Sequence, residues 1–498
     1  MSTVPNAQSV SRVVLDGRSL SVADLVGYAT DPGTVEVSPR ALTAVALAHE
    51  RMIAARESGS VYGANTGVGA NRSVALDDET AQSTDEESHG RRLLRSHASG
   101  VGQVEDDVTT RAAMIIRLNQ FLAGGSGISV EAVHGLANAL ASNSLPTMHR
   151  IGSIGTADLT ALAELALTLI GERPWRTGGI GAVALAESDA LPFMSSSAVT
   201  LATAAIASEY LASLLQAATV VTSLSFLALQ GSGEAYDASV HSARPHPGQA
   251  RAAERLRYLT EPVGGDVVPG RRIQDPFGLR VAPQVQAPAD TALTRIVDAI
   301  ELEINSATEN PLVVSDGVRH HGQFHIATLA AGLDSARVAA LPVFSLSASR
   351  LSALVNPEMT QLRPFLAGGP ATSSGLMILE YVVQDALSSM RVATTPVTGA
   401  NVSVSRGMEE HASFAPHSAR MLGDLCDLGS IILGVELVAA TRALRQAPAR
   451  VAGTRAQPLF DRAAAALPAS TDDRPLGGDV EIAAELLPEL VALARFRD

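Results

Sequence analysis

Three observations predict a mainly α-helical fold. The chain is 46% hydrophobic but only 3% aromatic, and Ala and Leu fill its long segments, a composition that suits helix better than sheet. Apolar tracts over 159–170, 197–230 and 336–355 are long enough for extended helices. No period of about 20 to 50 residues recurs, which excludes a repeat array. At 498 residues the chain can bury a large core and hold more than one structural region.

Composition also narrows the partners. The formal charge is −14, the basic residues are all Arg, and no basic block stands out, so nucleic acid and anionic membrane are excluded as expected partners. The single Cys426 rules out an intrachain disulfide and a multi-cysteine metal site. Residues 1–16 lack a basic patch followed by an apolar run, and no stretch is read as reaching the length of a membrane span. The expectation is a soluble, cytoplasmic protein. Its positive mean hydropathy suggests that some apolar helix faces are buried between subunits.

In chain order, 13–15 reads as a short extended lead and 38–56 as a helix with apolar residues at helical spacing. Tyr62-Gly63-Ala64-Asn65-Thr66-Gly67-Val68-Gly69 is too glycine-rich for helix and lacks the lysine of a phosphate-binding loop. Ser96-His97-Ala98-Ser99-Gly100-Val101-Gly102 follows, then a segment over 111–127 ending in the turn Gly124-Gly125-Ser126-Gly127. Gly152-Ser153-Ile154-Gly155-Thr156-Ala157-Asp158-Leu159 is a tight loop whose Asp158 is expected to cap the helix over 159–170. A Pro and Gly cluster around Trp175 separates that helix from the tract over 197–230, which Met194-Ser195-Ser196-Ser197 opens.

Residues 237–249, with Arg244-Pro245-His246-Pro247, read as a rigid connector. Gln274-Asp275-Pro276-Phe277-Gly278-Leu279-Arg280 precedes a helix over 290–308, and Glu303-Ile304-Asn305 leads into Glu309-Asn310-Pro311-Leu312. Gly322-Gln323-Phe324-His325 comes next. His320, His321 and His325 have no carboxylate at a ligand spacing beside them, so no metal is expected. A helix opens near 374–378 and ends near 392, Met408-Glu409-Glu410-His411 follows, and 423–498 reads as helix, a polar loop over 469–478 and a closing helix.

Several of these motifs, spread over roughly 60–425, resemble the histidine, phenylalanine and tyrosine ammonia-lyases. The resemblance implies an ammonia-lyase-like bundle of long helices in a homotetramer whose active sites draw on more than one subunit. It divides the chain into an N-terminal loop-rich region (1–196), a central long-helix bundle (197–425) and a C-terminal helical region (426–498). It puts the catalytic base at Tyr62, which stands in the family's Tyr-Gly-x-Asn-Thr-Gly-Phe-Gly motif. It implies substrate contacts at His97, Arg280, Asn310, Phe324 and Glu409, Arg280 being the grip on a carboxylate.

The family's loop reads Gly-Ser-Val-Gly-Ala-Ser-Gly-Asp-Leu, and its Ala-Ser-Gly cyclises to the electrophile methylidene-imidazolone (MIO). Here the triplet falls on Gly155, Thr156 and Ala157. The asparagine that holds the MIO carbonyl is Ser195, a tyrosine is Phe277, and a glutamate that handles the amine is Ser389. The base and the carboxylate grip are kept while the positions serving the electrophile or the amine are altered. The expectation is an MIO-free enzyme on this scaffold, with no cofactor, in which Tyr62 drives elimination from, or addition to, a small amino-acid-like or carboxylate-bearing substrate. The alternatives are an ammonia-lyase or aminomutase with a variant MIO at Thr156, and a non-catalytic binding or assembly protein.

Overall fold

The computed structural model describes residues 12–76, 88–263 and 270–496. Of residues 1–16, read as lacking a basic patch and an apolar run, 1–11 lie outside the described residues, while the extended lead expected at 13–15 lies in the strand Arg12–Leu15. The fold is helical: Ala198–Ala228, Ala282–Ile304, Ala327–Val355 and Ala415–Gln446 run 31, 23, 29 and 32 residues. The longest reaches roughly 48 Å at the α-helical rise. Ala198–Ala228 packs along Ala415–Gln446, which also meets Ala327–Val355, Met377–Ala393 and Gly477–Ala494.

The composition explains this arrangement. Ala198–Ala228 is apolar all round, and so it runs through the interior instead of lying on it with one wet face. Several of its hydroxyls are satisfied by bonding back to their own helix backbone, as Ser208 does to the Ala204 carbonyl at 2.7 Å. Small residues let helices approach closely, and a Cβ at Gly429 would press into the Phe344 ring of the neighbouring helix. One buried ion pair crosses the same interface: Arg350 grips Glu436 through Nε at 2.6 Å and Nη2 at 2.8 Å.

The sheet content among the described residues is three two-stranded pairs. Arg12–Leu15 pairs in parallel with Thr34–Val37, and Val101–Val104 pairs antiparallel with His149–Ile151, which leads into the Gly152 loop. Leu312–Val314 and Gly317–Arg319 form a hairpin directly after Asn310.

Three expectations change. First, no stretch was expected to reach membrane-span length, yet the helical run Glu187–Ala228 and the helix Ala327–Val355 are long and apolar enough to do so. Their most apolar windows are 83% and 56% buried within the chain, so this apolarity serves the protein core. Second, Ala415–Gln446 runs unbroken past residue 426, so the central bundle continues through the expected start of a C-terminal region. Third, Asp158 heads the helix Leu159–Leu169 but makes no side-chain cap to it. Its carboxylate instead accepts from the Thr200 backbone N–H at 2.7 Å, the Thr200 hydroxyl at 2.8 Å and the Ser153 hydroxyl at 2.7 Å. Asp158 thus caps the first turn of a different helix, Ala198–Ala228.

Candidate active site

Each turn of the Tyr62 loop has an identifiable support. The Asn65 side chain accepts from the Val61 N–H at 2.7 Å and donates to the carbonyls of Arg56 and Gly59 at 3.0 and 2.8 Å, so it closes the loop on itself. Gly63 sits at φ +69° against Leu191, where a Cβ would collide. Tyr62 emerges from this frame with its phenol oxygen accepting from the Gly69 N–H at 2.8 Å, while its backbone N–H donates to His320 Nε2 at 3.2 Å. Burial pushes the phenol above its ordinary pKa, the Gly69 N–H opposes that, Glu409 adds to it and Arg72 opposes it.

Tyr62 opens into a cavity of about 1060 Å³. His97, Thr156 and Ser195 share it, as do Asn310, Phe324 and Glu409. These residues come from segments separated by up to several hundred positions, and the long helices bring them together. His97 closes the helix His89–His97, and its Nδ1 bonds the Leu93 carbonyl at 2.9 Å. That carbonyl can only accept, so Nδ1 is the donor in this bond and the ring is held in place by its own helix. The Asn310 carboxamide oxygen accepts from the His321 N–H at 2.9 Å, which fixes the side chain.

The loop carrying Thr156 is pinned by the segment that follows the Glu409 motif. Ser413 donates its hydroxyl to the Gly155 carbonyl at 3.0 Å, and the Phe414 N–H donates to the Ile154 carbonyl at 2.9 Å. Gly155 lies at φ +94°, where a Cβ would strike the Ser413 hydroxyl. Ala157 lies at φ +81°, a left-handed conformation that costs an alanine roughly 1–2 kcal/mol. Gly155 and Ala157 flank the cavity without lining it, and Thr156 faces it.

Three of the residues expected at the site stand apart from this cavity within the chain. Arg280 ends the short helix Phe277–Arg280, with its guanidinium 4.5 Å from the centre of the Phe277 ring, and Phe277 is 63% exposed. Ser389 lies on the exposed face of Met377–Ala393 that also carries Tyr381 and Val392.

The cavity also holds residues that had been given no site role. His325 Nε2 meets His411 Nδ1 at 2.9 Å, so the Gly-Gln-Phe-His and Met-Glu-Glu-His motifs touch through their terminal histidines. That both motifs end in histidine was the available signal. Arg72, Ser405 and Glu410 complete that wall; Glu410 lies within the Met-Glu-Glu-His motif, whereas nothing in the local sequence marked Arg72 or Ser405. Among the described residues no group of three or more His, Cys, Asp or Glu side chains is arranged to hold a metal ion.

The family model for aromatic amino acid lyases matches residues 20–465. The chain belongs to that family. It is 32% identical to a histidine ammonia-lyase of Sorangium cellulosum over 506 residues, covering 95% of this chain and 97% of the relative. An ergothioneine-degrading enzyme from Treponema denticola, solved with desmethyl-ergothioneine sulfonic acid, superimposes with a TM-score of 0.89 at 26% identity, covering 97% of this chain and all of that one. Tyrosine aminomutase from Streptomyces globisporus gives a TM-score of 0.89 at 25% identity, over 97% and 98% of the two chains. A lyase-type enzyme on the ammonia-lyase fold is therefore what the chain encodes.

Proposed function

We propose that this lyase works without MIO, using Tyr62 as general base for elimination from, or addition to, a small amino-acid-like substrate. The observation that carries the reading is the triplet Gly155-Thr156-Ala157, with a Cβ on the residue whose nitrogen would have to attack the Gly155 carbonyl. Ala157 keeps the left-handed backbone that suits a glycine, so the loop's shape is retained without the residue that leaves ring closure unhindered. Ser195, in place of the family's asparagine, offers a single hydroxyl where MIO would need a carboxamide.

In this reading the Tyr62 phenolate takes the proton from the carbon next to the one bearing nitrogen, the C–N electrons leave with the amine, and the new double bond forms between the two carbons. Without an electrophile to activate the amine, the substrate must bring its own leaving group. Ergothioneine, named for the Treponema denticola neighbour, is such a compound, being a betaine whose nitrogen is already trimethylated. Glu409 suits a cationic nitrogen, and Asn310 and His97 supply polar contacts. The carboxylate grip, Arg280, reaches the cavity of another copy in a homotetramer. We read the protein as cytoplasmic, with its long apolar helices spent on the core and on assembly.

A second reading, a histidine or aromatic ammonia-lyase or aminomutase with a variant MIO at Thr156, draws support from one contact. The Ser413 hydroxyl donates to the Gly155 carbonyl and would polarise it for ring closure. The histidine ammonia-lyase relatives point the same way. Intact mass separates the two readings, because MIO formation removes two waters and the proposed enzyme has lost none. Assays for release of urocanate, cinnamate and coumarate, alongside amine release from ergothioneine and related betaines, test the activity. Robust deamination of histidine, phenylalanine or tyrosine overturns the MIO-free reading. On the true substrate, Tyr62→Phe is expected to lose about 10²- to 10⁴-fold in turnover, and Arg280→Ala to raise KM.

A further inference from the structure

We propose that Ser405 is a positioning residue for Tyr62, acting through the turn that donates to the phenol oxygen; this rests on the reading of Tyr62 as the base. The turn is the 3₁₀ segment Gly69–Asn71. Its Gly69 N–H donates to the Tyr62 oxygen at 2.8 Å, and the adjacent Ala70 N–H donates to Ser405 Oγ at 2.9 Å. Successive N–H groups of one turn are therefore divided between the phenol and the serine. Fixing the second fixes the direction of the first.

The segment that delivers Ser405 is strained. Ser405, Arg406 and Gly407 lie at φ +52°, +58° and +82°, three consecutive left-handed residues of which only the last is glycine. The turn is closed by the Gly407 N–H to the Val404 carbonyl at 3.0 Å, and Val404 bridges to Glu409 through its own N–H at 3.0 Å. Strain of this kind persists only where the surroundings enforce it. Here it lays Ser405 against Gly69, close enough that a Cβ on that glycine would collide with the serine hydroxyl and sit 3.4 Å from Glu409 Oε1. A hydrogen bond from a fixed N–H favours the ionised phenol over the neutral one, so the turn's orientation bears directly on a tyrosine acting as a base.

The test is the titration of Tyr62 in the full-length protein, read as the phenolate absorbance difference between each protein and its Tyr62→Phe counterpart. Ser405→Ala is expected to move that titration upward by roughly half a unit to one unit, the scale of one weakened hydrogen bond. Ser405→Asn, which tolerates the left-handed backbone and keeps a side-chain oxygen acceptor, is expected to move it less. Ser405→Gly guards against misfolding, because glycine favours the left-handed backbone while lacking the hydroxyl, and it is expected to shift the titration as Ser405→Ala does. A Tyr62 titration unchanged in Ser405→Gly overturns the proposal, even if activity falls. A shifted titration together with full activity of Tyr62→Phe leaves the positioning role standing and removes the reading of Tyr62 as base.

Discussion

At the scale of single residues, ionisation controls what this site can do. Burial holds the Tyr62 phenol above its ordinary pKa, so only a small fraction is phenolate near neutral pH. If that phenolate is the base, kcat/KM on the true substrate is expected to climb about tenfold per pH unit through the neutral range and to level off only at high pH. A profile that falls across that range would point to another base. Glu303 gives a second titration, one of stability. Burial pushes its carboxyl from the ordinary glutamate range up to about 7, so the fold favours the protonated form. That stabilisation is complete below the unfolded-state value and is lost as pH rises through about 7. Glu303→Gln is therefore expected to match the wild type in denaturant melts at pH 4 and to exceed it at pH 8 by up to about 3 kcal/mol.

At the scale of elements, the site depends on helix ends held by residues from other segments. Asp158 ties the Gly152–Asp158 loop to the first turn of Ala198–Ala228 through Thr200 and Ser153. Asp158→Ala would leave a buried N–H and two hydroxyls without their acceptor, and a loss of about 2–4 kcal/mol in urea unfolding is expected. Asp158→Asn keeps an oxygen acceptor and should cost less. The Arg350–Glu436 pair does comparable work for the helix carrying Arg280, since Arg350 also donates to the Gly278 carbonyl at 3.0 Å. Arg350→Met strands a buried carboxylate, with an expected loss of about 3–5 kcal/mol, and adding Glu436→Leu should recover much of it. Equal losses in the single and double variants would argue against pairing as the cause.

Across the whole molecule, the single chain leaves Tyr381, Val392, Leu302 and Phe277 between 63% and 71% exposed. Tyr381 and Val392 lie eleven residues apart on one helix, three turns and thus one face, with Ser389 on that same face. Covering such side chains is worth about 25 cal/mol per Å² of apolar surface, a strong drive to associate. Light scattering is expected to give a tetramer, and Tyr381→Glu combined with Val392→Glu should yield smaller species with weakened substrate binding, because Arg280 would no longer reach a neighbouring cavity. A stable wild-type monomer would contradict this assembly.

The amino-acid sequence by itself determined the helical class, because Ala- and Leu-rich tracts have few ways to bury themselves except as long packed helices. It also determined the family, because motifs such as the one around Tyr62 are local: Asn65, Thr66 and Gly63 build that loop from within a few residues of one another. Tertiary structure decided what no short window contains. Asp158 reads as the cap of its own helix but serves another, since Thr200 is adjacent only after Ala198–Ala228 has packed. Ser405 carries no local signal, and its hydroxyl matters only because a left-handed turn lays it on Ala70, 335 positions away in the chain. Arg280 and Ser389 keep their motif positions yet stand outside this chain's cavity, because a motif records neighbours along the backbone while a site is defined by neighbours in space.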